Sequence, residues 1–495
     1  MEEFIRLYSW IMSWRQPEGY GGFLHHAIHG TVNWEYARLV PSYTYEPLIN
    51  SFINLYEKSH NNAWLEKAEE AVRDLSNIVD RTGQFKYSGF EFAPKSGSIV
   101  HTVNPLFSIL RLYKINNDER LLALCKKVLE SVTAVFWRGD TFAGPFNMTL
   151  MVAAAMAEYG MLSNDWRLND YYGKKVFDQV KNHKVGEEGG EAQGLYYRNS
   201  NDHSIIFPWY NTVKAQAMCR YGKATGEIEW YKEGISLLKR IKTLFKDDYT
   251  LPHSFQFDNN GNVVAINTPI LVAPSAYVIS VMQQYHILES EEINKAIDCL
   301  LQKQTSIGFI PSNEGYDWRS KIGVTAWNCF VMELMSQNYV LNNPETIKIC
   351  KYREVSENIV IEENTVELRI YFKNNPIVII DKVKGTIKKL HINDVSNFKV
   401  EHKYVNEAIH IVKKNAQRHY AVSYIDSDGS GIWLENYDGE CYAWSPYVVF
   451  DIKEKGKIVY KGKQKYDKYS LVLSKLMRPV IYKPYLLDKI LRILK

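Results

Sequence analysis

Paired cysteines are missing from this sequence. Its six cysteines, Cys125, Cys219, Cys299, Cys329, Cys350 and Cys441, are scattered along 495 residues without a CxxC pair. Most sit inside apolar patterns, so buried free thiols are expected rather than disulfides or zinc ligands. There is no P-loop and no dinucleotide-type glycine motif, and no nucleotide or other cofactor is expected. No run is long enough to span a bilayer. The start, Met1-Glu2-Glu3, is acidic and lacks the basic segment and apolar stretch of a secretory signal, so a cytoplasmic protein is expected. Net charge is only +4, which excludes a nucleic-acid signature over the whole chain and leaves any basic excess local.

What is present points to a globular chain with a large core. Apolar residues make up 46% and charged residues 23%, and the length suits two or three domains. Aromatics are abundant, with 34 Tyr and 12 Trp, and many stand beside Gly and Asn in loop-like stretches. Core packing explains most of them. A loop-rich excess is also the composition of a surface that stacks on sugars.

Six short stretches share one character. They are Pro41-Ser42-Tyr43-Thr44-Tyr45, His101-Thr102-Val103-Asn104-Pro105, Gly144-Pro145-Phe146-Asn147-Met148-Thr149, Phe207-Pro208-Trp209-Tyr210-Asn211-Thr212, Ala273-Pro274-Ser275-Ala276-Tyr277 and Val324-Thr325-Ala326-Trp327-Asn328. Each mixes Ser, Thr or Asn with an aromatic, and most carry Pro, just before a helix-like apolar run, the composition of a capped helix start. They recur at roughly 40 to 66 residues, the spacing of helical-pair repeats. In five repeats a Tyr follows the start by about eleven to thirteen residues (Tyr56, Tyr113, Tyr159, Tyr221 and Tyr285), then come a polar turn and a more charged helix.

The first helix of each pair is apolar nearly all round and the second has one polar face, which reads as inner and outer members of helical hairpins. Only five outer helices follow their inner ones, because the sixth start, at Val324, leads to Asn342-Asn343-Pro344 and then to strand-like sequence. The amphipathic stretch over residues 3–14 can supply the missing helix and close a ring. An (α/α)6 toroid is therefore predicted over residues 1–345.

Beyond residue 350 the pattern alternates. Thr365–Phe372, Ile377–Ile380, Ala408–Val412, Gly431–Glu435 and Tyr447–Ile452 read as strands, which predicts an antiparallel β-sandwich domain over 350–465. The stretch 466–495 combines many Lys and Arg with Leu471, Leu476, Ile481, Leu487 and Ile490, against few acids. It is a basic amphipathic tail, suited either to an anionic membrane surface or to packing on its own protein with a solvated basic face.

A ring of six helical hairpins with an aromatic rim and an attached β-domain resembles the (α/α)6 toroid carbohydrate-active proteins. That group includes polysaccharide lyases of the heparinase and alginate-lyase type, unsaturated glycuronyl hydrolases, and the C-terminal helical domain of glucuronyl C5-epimerases. Locally, Pro208-Trp209-Tyr210-Asn211-Thr212-Val213-Lys214-Ala215-Gln216-Ala217 is similar to an inner helix of the epimerase type. The resemblance implies a polysaccharide or oligosaccharide substrate and, in the lyase and epimerase branches, removal of the C5 proton of a uronate. That chemistry needs a base and a group that stabilises the carboxylate as it becomes an enolate.

The starts offer candidates for both roles. Tyr210, His203, Asn147, Asn104, His101, Asp202 and Asp317 are the candidate catalytic residues. Tyr43, Tyr45, Trp209, Asn211, Arg198, Tyr277, Trp318, Arg319, Trp327 and Asn328 are candidates for binding substrate. Taken singly, Asn or Ser at such a position is also an ordinary cap. A tyrosine acts as the base only where a cation such as Arg198 or Arg319 lowers its pKa.

Two other functions remain open on the sequence. Hydrolysis would use two carboxyls, drawn from Glu46, Asp140, Glu191, Asp202, Glu314 and Asp317, all expected in loops near the rim. A non-catalytic glycan-binding protein at a membrane would use the aromatic rim and the basic tail. His25, His26 and His29 have the spacing of metal ligands on a helix but lack the acid of an HExxH motif, and no metal is assigned.

Overall fold

The computed structural model describes residues 1–347 apart from 13, 17–18, 29–30, 38–39, 86–98, 268–270, 305–307 and 313–323, and beyond them the backbone of ten strands between 351 and 465. The chain divides into two compact units, Met1–Ile349 and Cys350–Lys495.

The first unit is built on twelve α-helices among the described residues: α1 (Glu2–Met12), α2 (Tyr45–Ser59), α3 (Asn62–Asn77), α4 (Ile99–Asn116), α5 (Glu119–Phe136), α6 (Phe146–Ser163), α7 (Lys174–Val180), α8 (Pro208–Thr225), α9 (Ile228–Lys242), α10 (Ser275–Gln284), α11 (Ser290–Gln302) and α12 (Thr325–Asn338). The even-numbered helices pack in sequence, α2 on α4, α4 on α6, and so on to α12, and α12 packs back on α2. Each is backed by an odd-numbered helix, and α1 packs on α12 as its outer partner. The six inner helices therefore close into a ring, and the amphipathic N-terminal stretch completes the sixth pair as expected.

Burial follows the two sequence patterns. In α6 every residue from Phe146 to Ala157 is buried, because α4, α8 and its own outer helix cover it on all sides. In the outer helix α9 only Gly234, Leu237, Leu238 and Ile241 are buried. The seam where the ring closes holds large side chains. Trp64 of α3 is fully buried, its ring centroid 5.4 Å from Tyr8 of α1 and 6.1 Å from Phe52 of α2. Its Nε1 donates to the Leu341 carbonyl at 2.8 Å. Full burial of such side chains contributes about 1.5–3 kcal/mol each.

The polar turn that follows five of the six inner helices has a common geometry. His60, Asn117, Asn164, Gly226 and His286 take φ values of 56°, 54°, 56°, 80° and 55°. A left-handed residue ends a helix sharply, and Asn and Gly tolerate that conformation best.

Two details of the helix starts differ from expectation. First, α4 begins at Ile99, so Pro105 lies inside it, with Ser108 Oγ donating to the Pro105 carbonyl at 2.9 Å. Second, the Ser, Thr and Asn residues of the inner starts make no described cap bond, not even Thr44, which holds the cap position of α2. The cap positions of α6, α8, α10 and α12 are Pro145, Phe207, Pro274 and Val324, none of which makes a side-chain cap bond. Side-chain caps occur instead on outer helices, through Asn61 on α3, Asp118 on α5 and the Glu289–Glu292 capping box on α11.

Residues Gly22–Ile28 and Thr31–Ala37 form an antiparallel hairpin. His25 and His26 are therefore on a strand, where helical ligand spacing does not apply. Among the described residues no cluster of His, Cys, Asp and Glu has a metal-binding arrangement, and no helix is long and apolar enough to cross a membrane.

The second unit contains two five-stranded antiparallel sheets in which each strand pairs with the next in sequence. One runs from Lys351–Ser356 to Thr386–Leu390 and the other from Phe398–Val400 to Lys457–Lys465. The strand expected at Ala408–Val412 and the tail 466–495 lie outside the described residues.

Candidate active site at the rim of the ring

Because each outer helix returns the chain, all six inner helices begin at the same end of the ring, and their first turns form one rim. Aromatic side chains from four of these starts make a continuous cluster, in which Trp209, Tyr210 and Trp327 are partly exposed and Tyr43 and Tyr277 are buried beneath them. The Trp209 ring lies 4.9 Å from Tyr277, 5.7 Å from Trp327 and 5.8 Å from Tyr210, and Trp327 lies 6.2 Å from Tyr43. Trp209 Nε1 donates to the Pro274 carbonyl at 3.1 Å, which fixes the indole across the gap between α8 and α10. Tyr45, by contrast, belongs to the core: it is 2% exposed and its hydroxyl accepts from the Tyr20 amide.

Two of the recurring asparagines hold loops. Asn211 Oδ1 accepts from the Tyr196 amide at 2.7 Å, while Nδ2 donates to the carbonyls of Tyr196 at 3.2 Å and Phe207 at 3.3 Å. Asn328 repeats the arrangement on Ile310, at 2.7 Å and 3.0 Å, with a further bond to the Val324 carbonyl. Each amide thus acts as a short strand, pairing with both backbone groups of one residue in the preceding loop. Both side chains are fully buried, so Asn211 faces the loop and not the central cavity.

Asn104 and Asn147 are also buried, but the Oδ1 of each has no hydrogen-bond partner among the described residues. The same holds for Thr44 Oγ1, Thr102 Oγ1, Thr325 Oγ1 and Trp327 Nε1. Buried polar atoms are normally paired, and these six gather at inner-helix starts.

A second group stands on the connection between α7 and α8. The backbone amide of Phe146, first residue of α6, donates to the Arg198 carbonyl at 2.8 Å, which ties this connection to the rim. The Arg198 guanidinium pairs with Asp202 at 3.2 Å. Asp202 also accepts from the Ser204 amide and hydroxyl, and these bonds with Arg198 hold its carboxyl below the usual range despite partial burial. His203 is exposed and stacks on Tyr197 at 3.9 Å and 12°, with His183 6.1 Å away. Burial and the nearby His203 lower the His183 pKa, so its imidazole is neutral at pH 7.

Buried Lys214, one turn into α8, supports this loop from beneath. Its ammonium donates to the carbonyls of Tyr196 at 2.9 Å and Tyr197 at 2.7 Å, and burial pulls its pKa down to about 7.

Beneath the rim the axis of the ring is closed by charge. Arg220 of α8 reaches Glu46 of α2 at 3.5 Å and Glu158 of α6 at 3.3 Å, and its guanidinium lies 4.0 Å over the Phe107 ring. Burial pushes Glu46 up to about 8, against the opposing pull of Arg220. It pushes Glu333 of α12 up to about 7, even though Asn50 Nδ2 donates to Glu333 at 3.0 Å. Tyr277 donates to Gln216 Oε1 at 2.8 Å, and burial together with the nearby Glu46 raises its pKa, so it cannot serve as a base at neutral pH.

The structure thus brings together Tyr43, Trp209, Tyr210, Tyr277 and Trp327 as one cluster and Arg198, Asp202 and His203 as one loop. Glu46 lies in a helix, not in a loop as expected. Asp140 is exposed beside Lys175, and Glu191 is exposed. Asp317, Trp318, Arg319, Glu314 and the side chain of His101 lie outside the described residues. Sequence reasoning missed His183, Lys214, Glu158, Arg220 and Glu333. A signal existed for four of them, since a charged residue in a helix predicted to be buried on both sides has to find a partner there.

No protein-family model matches the chain, and no curated protein matches it by sequence. Solved structures do resemble it. A sugar epimerase from a ruminal bacterium has 12% identity and a TM-score of 0.47, with 69% of this chain and 100% of the epimerase covered. An alpha-amylase from Clostridium perfringens has 14% identity and a TM-score of 0.47, covering 68% and 98%. A family 88 glycosyl hydrolase from Bacteroides vulgatus has 11% identity and a TM-score of 0.45, covering 68% and 97%. Function is therefore read from the side chains of the rim itself.

Proposed function

We propose that the chain is a carbohydrate-active enzyme that binds a uronate-containing saccharide across the rim and removes its C5 proton. The observation that carries this reading is the His183 imidazole 6.1 Å from His203 and 5.0 Å from Phe146 at the start of α6, on the connection that also presents Arg198. Sugars offer apolar C–H faces that stack on the partly exposed rings of Trp209 and Trp327.

In this scheme His183 or His203 takes the C5 proton, and the Arg198 guanidinium neutralises the carboxylate as electron density moves onto it. The enolate then collapses in one of two ways. Expulsion of the C4 oxygen substituent gives an unsaturated sugar, whereas return of a proton to the opposite face of C5 gives the epimer. Incubation with a panel of uronate polymers in heavy water tests this. An ultraviolet-absorbing unsaturated end, or deuterium at C5, is expected, and the appearance of neither on any polymer rejects the proposal.

Hydrolysis is the second reading, and one contrast favours it. Burial raises Glu46 to about 8, as a general acid requires, while Asp202 on the rim loop is held low, as a base requires. Release of reducing ends without unsaturation, lost in Glu46→Gln, would select this reading over the first.

A further inference from the structure

At the opposite end of the ring, where the inner helices finish, there is a cavity of about 660 Å³. That volume lies within the range of roughly 300–1,000 Å³ occupied by small-molecule sites. All six inner helices line it, and Arg220, Glu158 and Glu333 contribute to it. The charge layer around Arg220 thus lies between this cup and the rim residues to which it is bonded.

Four carboxyls (Glu57, Glu158, Glu289 and Glu333) and four cations (Lys58, Arg111, Lys114 and Arg220) line the cup, but they are not matched pair by pair. Glu57 is taken up by Arg111 at 2.7 Å and Glu158 by Arg220 at 3.3 Å. Glu289 accepts from the backbone at the start of α11. Glu333 accepts from Asn50, and burial leaves it partly protonated at neutral pH. Two ammonium groups on neighbouring helices have no carboxylate partner among the described residues. Lys58 of α2 donates to the Gln337 carbonyl, a neutral acceptor, and Lys114 of α4 is exposed at the mouth. Arg111 stands on α4 one turn from Lys114, and its second bond, at 2.8 Å, is to neutral Asn54.

The polar lining continues around the wall. Gln337 Nε2 donates to Ser280 Oγ at 2.8 Å, but its buried Oε1 has no partner among the described residues. Gln284 is an exposed amide on the facing helix. A ligand with hydroxyls and one anionic group would answer both the spare ammoniums and the unpaired amide.

We infer that this far cup is a binding site for a small hydroxylated anion of the sugar-acid or sugar-phosphate class, held by Lys58, Lys114 and Arg111 and distinct from the rim. It is independent of the reaction assigned to the rim.

Calorimetric titration of the full chain tests the site with four probes: glucuronate, glucose 6-phosphate, inorganic phosphate and neutral glucose. At least one of the three anions should bind, glucose should bind at least tenfold more weakly than that anion, and Lys114→Met and Lys58→Met should each weaken the anion at least tenfold. Lys114 is exposed, so Lys114→Met should keep the wild-type melting temperature, and Trp209→Ala at the rim should leave anion affinity unchanged. Preference for glucose 6-phosphate over glucuronate assigns the phosphoryl form, and the reverse assigns the carboxylate. Binding of inorganic phosphate as tight as that of either sugar anion overturns the sugar part of the inference. Failure of every anion to bind, an affinity unmoved in Lys114→Met, or loss of binding in Trp209→Ala overturns the site.

Discussion

The side-chain amide of Asn211 pairs with both backbone groups of Tyr196, at 2.7 Å and 3.2 Å, and so suspends the loop bearing Arg198, Asp202 and His203 from the first turn of α8. Removing it leaves a buried amide and carbonyl unpaired, a cost of about 1–3 kcal/mol. Asn211→Ala should therefore lower the urea midpoint, and Asn328→Ala should do the same through Ile310. A loss below about 0.5 kcal/mol, the range of ordinary surface substitutions, would show that neither clamp matters.

Trp209 makes ring contacts with Tyr277, Trp327, Tyr210 and Phe330. Trp209→Ala removes the centre of the stacking surface and should weaken saccharide binding at the rim at least tenfold, with Trp209→Phe intermediate. Fluorescence titration with the saccharide that shows turnover measures it, and unchanged affinity in Trp209→Ala would place the sugar elsewhere.

His183→Gln should abolish deuterium exchange at C5 if His183 is the base, while saccharide affinity stays within about threefold. Should His203→Gln alone abolish exchange, the roles of the two imidazoles are reversed. Exchange surviving the double variant excludes both.

Glu46 and Glu333 give the ring a pH-dependent stability. Their folded pKa values, about 8 and about 7, lie above the ordinary 4.5. The folded state holds these protons more tightly, so the stability they confer is complete below about pH 4.5 and is lost as pH rises through 7 to 8. His183, whose pKa is lowered, acts in the opposite sense as pH falls through 6.5. Comparison with wild type isolates the glutamates: Glu46→Gln and Glu333→Gln should each lose less stability than wild type between pH 5 and 8 in urea titrations. Identical slopes in variant and wild type would mean that the carboxyls are not held protonated.

Arg220→Met strands the Glu158 carboxylate at the axis, Glu46 being already largely protonated at neutral pH, and should cost about 3–5 kcal/mol, with partial recovery in Arg220→Met combined with Glu158→Gln. Thermal unfolding of the two variants provides the measurement.

The ring was legible because its evidence is local and repeated. A helix apolar all round, a Tyr, a polar turn and a charged helix recur five times, and each copy supports the others. The role of the recurring Asn was not legible, since cap and clamp use the same side chain, and only the position of the loop 15 or 18 residues upstream distinguishes them. The axial cluster could have been anticipated from Glu158 and Glu333, the only charged residues in α6 and α12. His183 could not, because it lies after an outer helix, in a stretch with no pattern to mark it.

Closure of the ring through α1, α2 and α12 also has a consequence for how the molecule forms. Residues such as Asn54 and Ser336, bonded at 2.9 Å, are 282 positions apart. Contacts of that span are slow to form, because loop closure precedes any gain from packing. During synthesis the apolar faces of α1 and α2 have no seam partner until α12 has left the ribosome. The first hairpins must wait for the last, and the interval before closure is when the chain is most exposed to aggregation.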